Sequence, residues 1–172
     1  MSSPSRTASR LLVSAALSLA LAGCLQPLYG PSVAGGGVAE KLAEIKIMPI
    51  GDRVGHYLEN ELRFAFNGSG EPKSPRYTLY IGLRQGNQSP LVDTVTGYPS
   101  SATQVVGADY TLIAAGETEP VAKGTVNAQS SYDRFSQRYA NVRAARDADI
   151  RNARLLAEQI KTNIAAAFAQ KG

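Results

Sequence analysis

The single cysteine of the chain, Cys24, closes the run Leu21-Ala22-Gly23-Cys24, where a thiolate is placed to take up a lipid. Arg6 and Arg10 come first, and the apolar run Leu11–Ala20 separates them from the small residues Ala22 and Gly23. That order is the one expected of a secretory leader. Here the cysteine stands where an ordinary cleavage site would lie. The Cys24 sulfur would accept a diacylglyceryl group, residues 1–23 would be cut away as a signal peptide, and the freed amine would be acylated. Each buried CH2 of a lipid contributes about 0.8 kcal/mol, and a single chain is marginal, so three chains on Cys24 form a firm anchor. The apolar run itself falls short of the roughly 20 residues that a bilayer core demands. A buried structural cysteine is the competing reading, but it leaves the charged flank and the Ala22-Gly23 pair without a purpose.

Other reactive residues are sparse. His56 is the only histidine and cannot build a multi-histidine metal site. Asp52 and His56 are four apart, a spacing that fits helix capping as well as a catalytic dyad. The carboxylate pairs Glu59/Glu61 and Asp147/Asp149 sit two apart on helices, point to different sides, and are expected to be solvated. Gly51-Asp52-Arg53-Val54-Gly55 lacks the Gly-Lys-Ser/Thr ending of a phosphate loop. No catalytic or metal residue is assigned, no cofactor is expected beyond the covalent lipid on Cys24, and the expectation is a binding or structural protein rather than an enzyme.

Bulk properties agree. Removing 23 of 172 residues leaves 149, enough for one domain with a core. The net charge is +4, and losing Arg6 and Arg10 leaves 16 basic against 14 acidic residues, or +2. Neither that surplus nor any basic run interleaved with aromatics supports a nucleic-acid partner. With Cys24 acylated, no thiol remains for a disulfide, so packing alone must hold the fold.

Pro27, Pro31 and Gly35-Gly36-Gly37 oppose regular structure from Cys24 to Val38, so residues 24–41 read as a lipidated flexible tether and 42–172 as one α+β domain. A first strand is expected at about 43–48, with Ile45 and Ile47 on one face. A helix N-capped by Asp52 should run to about Phe66, burying Val54, Leu58, Leu62 and Ala65, with Tyr57 alongside, and Asn67-Gly68-Ser69-Gly70 should end it. Tyr77, Leu79, Ile81 and Leu83 alternate as one strand face, Val106, Ala108, Tyr110 and Leu112 as a second, and Ala122, Gly124, Val126 and Ala128 as a third. Residues 85–101 read as an exposed loop and 116–120 as a turn. A terminal helix from about Arg138 to Ala169 carries the stripe Ile150, Ala153, Ala157, Ile160, Ile164 and Phe168, with Asp147 and Arg151 paired on another side. The order β-α-β-β-β-α implies a two-layer sandwich, a four-stranded mixed sheet with two helices on one face and the other face free.

These features together resemble the LptE family of lipopolysaccharide-assembly lipoproteins, in its alphaproteobacterial form. The resemblance rests on Gly23-Cys24 followed by Pro27-Leu28-Tyr29-Gly30, the βαβββα order, the strands Tyr77–Leu83 and Ala108–Leu112, and Ser130-Ser131-Tyr132 before an Ala/Arg-rich helix. Leu25-Gln26 depart from the glycine and aromatic expected there, and Leu25 is compatible with sorting to the outer membrane. The resemblance implies an outer-membrane lipoprotein, lipid-anchored on the periplasmic side. It would plug and support assembly of the lipopolysaccharide-exporting β-barrel LptD and assist delivery of lipopolysaccharide to the outer leaflet. Lipid A phosphates call for arginine forks. Arg134, Arg138, Arg143 and Lys123 are the candidates, although a solvated basic face is the preferred account of them. One alternative is another outer-membrane binding lipoprotein, such as a regulator of a cell-wall synthase. The 15 residues from Cys24 to Val38 span about 50 Å at full stretch, which counts against that reach. A small envelope hydrolase using His56 is the other rival.

Overall fold

Period-two alternation in three successive segments dictates a sheet with one apolar face, and the fold is the covering of that face. The computed structural model describes residues 37–68, 70–72, 74–88 and 100–170. The leader, Cys24, the tether up to Gly36 and the connection 89–99 lie outside them. The elements are α1 (Val38–Ala43), β1 (Ile45–Ile47), α2 (Asp52–Asn67), β2 (Tyr77–Gln88), β3 (Ser101–Ala114), β4 (Pro120–Asp133) and α3 (Arg138–Gln170). One four-stranded sheet has the order β1-β2-β3-β4; β1 runs parallel to β2, and the other pairs are antiparallel. This is the expected mixed sheet, with α2 and α3 against one face. The strand order that the sequence leaves open is simply sequential.

β1 is three residues long, with Ile45 and Ile47 buried and Lys46 exposed between them. The backbone then turns into α2, and that helix returns the chain to the start of β2. Asp52 does not cap the helix as expected. Gly51 holds the cap position, and Asp52 lies in the first turn at φ 69. The carboxylate of Asp52 has no hydrogen bond among the described residues. Val54, Leu58 and Leu62 are buried as the spacing predicts, while the last apolar position belongs to Phe66 rather than Ala65. At the other end Gly68 takes φ 77 and returns its N–H to the Phe64 carbonyl at 3.0 Å, which closes the helix.

β2 continues to Gln88 and β3 begins at Ser101, so both strands take residues from the stretch read as a loop. β4 likewise extends to Asp133 and contains Ser130, Ser131 and Tyr132. Helix α1 occupies part of the stretch assigned to the tether and buries Leu42. α3, with 33 residues, is about 50 Å long and matches the long strands beneath it. It packs along β4 and β3 and against α2. The core joins Ile45, Leu58, Leu62, Leu79, Leu112, Leu156, Ile160 and Ile164.

Leu58 is fully buried in that core, whereas Phe64, six residues on, is exposed. Leu58→Ala should lower the unfolding free energy by about 2–5 kcal/mol. Phe64→Ala should stay within about 0.5 kcal/mol of wild type. Urea titrations followed by circular dichroism would check both, and equal losses from the two would contradict this assignment of the core.

Candidate functional site

Two polar constellations and one exposed basic end stand out from this scaffold. The first is buried. Asp149, on the core side of α3, is fully buried, contrary to the expectation of solvated charge. Arg53, in the first turn of α2, donates to Asp149 Oδ2 from Nε at 2.8 Å and from Nη2 at 2.5 Å. The other carboxylate oxygen, Oδ1, is buried with no partner among the described residues. One turn further along α3, Asn152 is also fully buried. Its Oδ1 accepts from Ser130 Oγ on β4 at 2.7 Å, and its Nδ2 donates to the Gln104 carbonyl on β3 at 3.1 Å. One amide thus bridges two strands and the helix. The pattern was detectable only as a polar interruption: Asp149 and Asn152 both fall on the apolar side of α3.

The second constellation lies on the open face of the sheet. The register sets Asp109 between Gly82 and Thr125, and sets Gly107 between Arg84 and Asn127. Arg84 on β2 forks onto Asp109, with Nη2 at 3.0 Å from Oδ1 and Nη1 on Oδ2. Thr125 Oγ1 on β4 donates to Asp109 Oδ1 at 2.6 Å. A Cβ at position 107 would come within 2.9 Å of Asn127 Oδ1, so glycine there keeps the middle strand clear beneath these long side chains. The Thr125 hydroxyl first, and then the Arg84 guanidinium, hold the Asp109 carboxyl below its ordinary value of 3.8. Further along the same face Thr103 Oγ1 and Ser131 Oγ are 2.8 Å apart. No sequence spacing could reveal these contacts, because they depend on register across three strands.

The expected site residues separate into two places. Arg134, Arg138 and Arg143 are exposed together where the chain leaves β4 and enters α3. Lys123 is exposed on the open face near the start of β4, ten residues from the strand's end, or roughly 34 Å along it. The four cations therefore do not form one cluster. His56 is exposed, and its Nε2 lies 3.2 Å from Asn60 Nδ2 with no bond to Asp52, so the dyad is not assembled. Glu59 is held by Arg63 and also accepts from the Ile50 N–H at 3.3 Å. The expected Asp147–Arg151 pair is present, and Arg151 Nη2 also reaches the Ser131 carbonyl at 3.0 Å. Among the described residues no cluster of three or more His, Cys, Asp or Glu could hold a metal ion, and no helix is long and apolar enough to cross a membrane.

No protein-family model and no curated protein matches this chain. Solved structures do. A lipoprotein structure from Caulobacter crescentus aligns with a TM-score of 0.64 at 23% identity, over 78% of this chain and 97% of that one. Lipoprotein B from Nitrosomonas europaea aligns with a TM-score of 0.52 at 12% identity, over 73% and 82%. A minor lipoprotein from Acinetobacter baumannii gives 0.50 at 14% identity, over 72% and 92%. At these identities the likeness establishes a shared fold.

Removing the cation from the buried pair should expose its cost. Arg53→Ala should destabilise by about 1–3 kcal/mol, because a buried carboxylate is left alone. The effect stays below that of a fully enclosed pair, since Arg53 is 60% exposed and solvent screens it. Replacing both partners with apolar residues, as Arg53→Met with Asp149→Leu, should recover most of that loss. Unfolding free energies from urea titration at neutral pH decide it; an unchanged Arg53→Ala would remove the pair from the account.

Asp109 gives a pH signature. Its folded carboxyl titrates below its unfolded value, so its stabilising contribution is complete above pH 3.8 and is lost as pH falls through the depressed folded value. The stability difference between wild type and Asp109→Asn should accordingly be present at pH 6 and shrink on acidification below about pH 4. Melting temperatures across pH 2.5–7 would show it, and a constant difference would contradict it.

Proposed function

We propose that this chain is an outer-membrane lipoprotein, acylated on Cys24, that plugs and supports assembly of the lipopolysaccharide-exporting barrel LptD and assists delivery of lipopolysaccharide to the outer leaflet. The observation that carries the reading is the pairing of two features: a leader ending in Leu-Ala-Gly-Cys, and a βαβββα domain whose fold recurs in solved lipoproteins. A barrel lumen is wet, and a plug for it needs polar surfaces that do not themselves aggregate. The open sheet face meets that need. Arg84, Asp109 and Thr125 satisfy one another across three strands, while Lys123, Asn127 and Gln129 face solvent along β4. Arg151 and Gln159, reaching from α3, occupy the Ser131 and Asn127 carbonyls of β4, so this edge is partly closed to stray strand pairing. The short tether supports a role close to the membrane.

The test is purification of the full chain from detergent-solubilised envelopes, combined with its depletion in cells. A large outer-membrane barrel should co-purify stoichiometrically, and depletion should leave lipopolysaccharide stranded inside the envelope. Cys24→Ala should leave the precursor unprocessed and abolish both. Normal surface lipopolysaccharide after depletion would overturn the reading, and recovery of a cell-wall synthase in place of a barrel would favour a regulator of that enzyme.

A further inference from the structure

The stripe of α3 that packs into the core does not stop where its cover stops. Steps of three and four lead back from Ile164 through Ile160, Leu156, Ala153 and Asp149, all buried. The same steps continue to Arg146, Val142 and Tyr139, where Tyr139 is 75% and Val142 54% exposed. The first turn of α2 is bonded to Asp149 and Arg146 reaches back to Tyr57, so it is the opening two turns of α3 that reach past the end of that helix. Just before α3, Phe135 is 58% exposed. It is held there: its N–H donates to Asn141 Oδ1 at 2.7 Å, and its carbonyl accepts from Asn141 Nδ2 at 2.7 Å. The neighbouring Arg134 N–H is fixed to the Ser100 carbonyl at 2.9 Å. An exposed aromatic side chain on a clamped backbone is preorganised for contact, because little conformational freedom is lost when something covers it.

Charge on the same segment is one-sided. Between residues 134 and 146 there are four arginines, at 134, 138, 143 and 146, and no Asp or Glu. Arg146 donates to the Tyr57 hydroxyl at 2.7 Å, and none of the four meets a carboxylate among the described residues. The amino end of a helix carries about half a positive charge confined to its first turn, so Arg138 there opposes the helix dipole. Helix stability alone would place acids in this turn. A partner that supplies them resolves the conflict.

We infer that residues 134–146 form a docking surface for a protein partner that presents carboxylates around an apolar hollow. Two observations favour a protein over an anionic lipid surface. The arginines and the apolar side chains are interleaved on one exposed side, whereas helices that sink into a bilayer segregate them. Every cation in the segment is an arginine, and arginine with tyrosine and phenylalanine, without lysine, is the composition that dominates protein interface centres. The inference stands on this geometry alone and does not depend on the outer-membrane reading.

Its test uses the full acylated chain in detergent and a fluorescent random glutamate–tyrosine copolymer, with polyglutamate and soluble dihexanoylphosphatidylglycerol as comparison probes. The copolymer should bind at least tenfold more tightly than polyglutamate. Arg138→Glu with Arg143→Glu should weaken it at least tenfold, and so, to a smaller degree, should the milder Arg138→Gln with Arg143→Gln. Tyr139→Ser with Val142→Ser should reduce copolymer binding to the polyglutamate level. Lys123→Glu, on the distant part of β4, should change it less than twofold. No variant should melt below wild type, since all these side chains are exposed, and Arg138→Glu can only raise the melt by relieving the helix dipole. The inference is overturned if Lys123→Glu does as much damage as the arginine reversal, which would reduce the effect to net charge. Tighter binding of the lipid probe with the same arginine dependence would overturn it too, assigning the surface to anionic headgroups.

Discussion

Burial of one sheet face beneath a single long helix is the constraint on which the rest of this molecule depends. Three long strands alternate, β2 as far as Leu83 and β3 and β4 over most of their length, so their inward side chains need cover. α3 supplies it, and its apolar stripe through Leu156, Ile160 and Ile164 sits between the sheet and α2. An apolar stripe on an apolar sheet does not by itself fix position, because a shift of one helical turn presents similar residues again. The polar node removes that freedom. Asn152 can satisfy a β3 carbonyl and a β4 hydroxyl together only in one placement of the helix, and Asp149 meets Arg53 only in the same placement. A mispositioned helix would leave these groups buried without partners, at a cost of several kcal/mol.

The same arrangement divides the surface into parts with different duties. On the open sheet face Arg84 and Asp109 neutralise each other, with Thr125 joining them across strands. The amino end of α3 does the reverse. It gathers arginines that nothing in the described structure neutralises, beside Phe135 and Tyr139. A polar, self-satisfied face suits a wet surrounding, and an unsatisfied end suits a specific contact. The contrast arises because α3 is longer than the helix that packs against it.

Much of this was legible in the sequence. The strands and the helices α2 and α3 follow from periodicity, whereas α1 does not, and the inward faces Val106, Ala108, Tyr110 and Leu112 are all buried. The misses share a cause. Residues 85–88 look like loop because Gln85, Gly86, Asn87 and Gln88 are polar, yet β3 alongside supplies their ladder, and pairing outweighs local propensity. Asp149 looks solvated because most helical aspartates are, but it falls on the covered side of α3 and Arg53 lies within reach. Phe66 displaces Ala65 because the end of α2 turns that position toward the core.

By itself, then, the chain determined the order of its strands and two longer helices and their inward faces, since these are encoded in residue type and in spacing along one segment. The tertiary structure decided what depends on two segments meeting. That includes the sequential strand order, the Arg84–Asp109–Thr125 contact, the burial of Asp149 and the separation of Lys123 from the three arginines. The physical reason is that hydrophobic periodicity is a local property, whereas register, helix overlap and charge pairing across elements are fixed only when the core closes and brings segments distant in sequence within bonding reach.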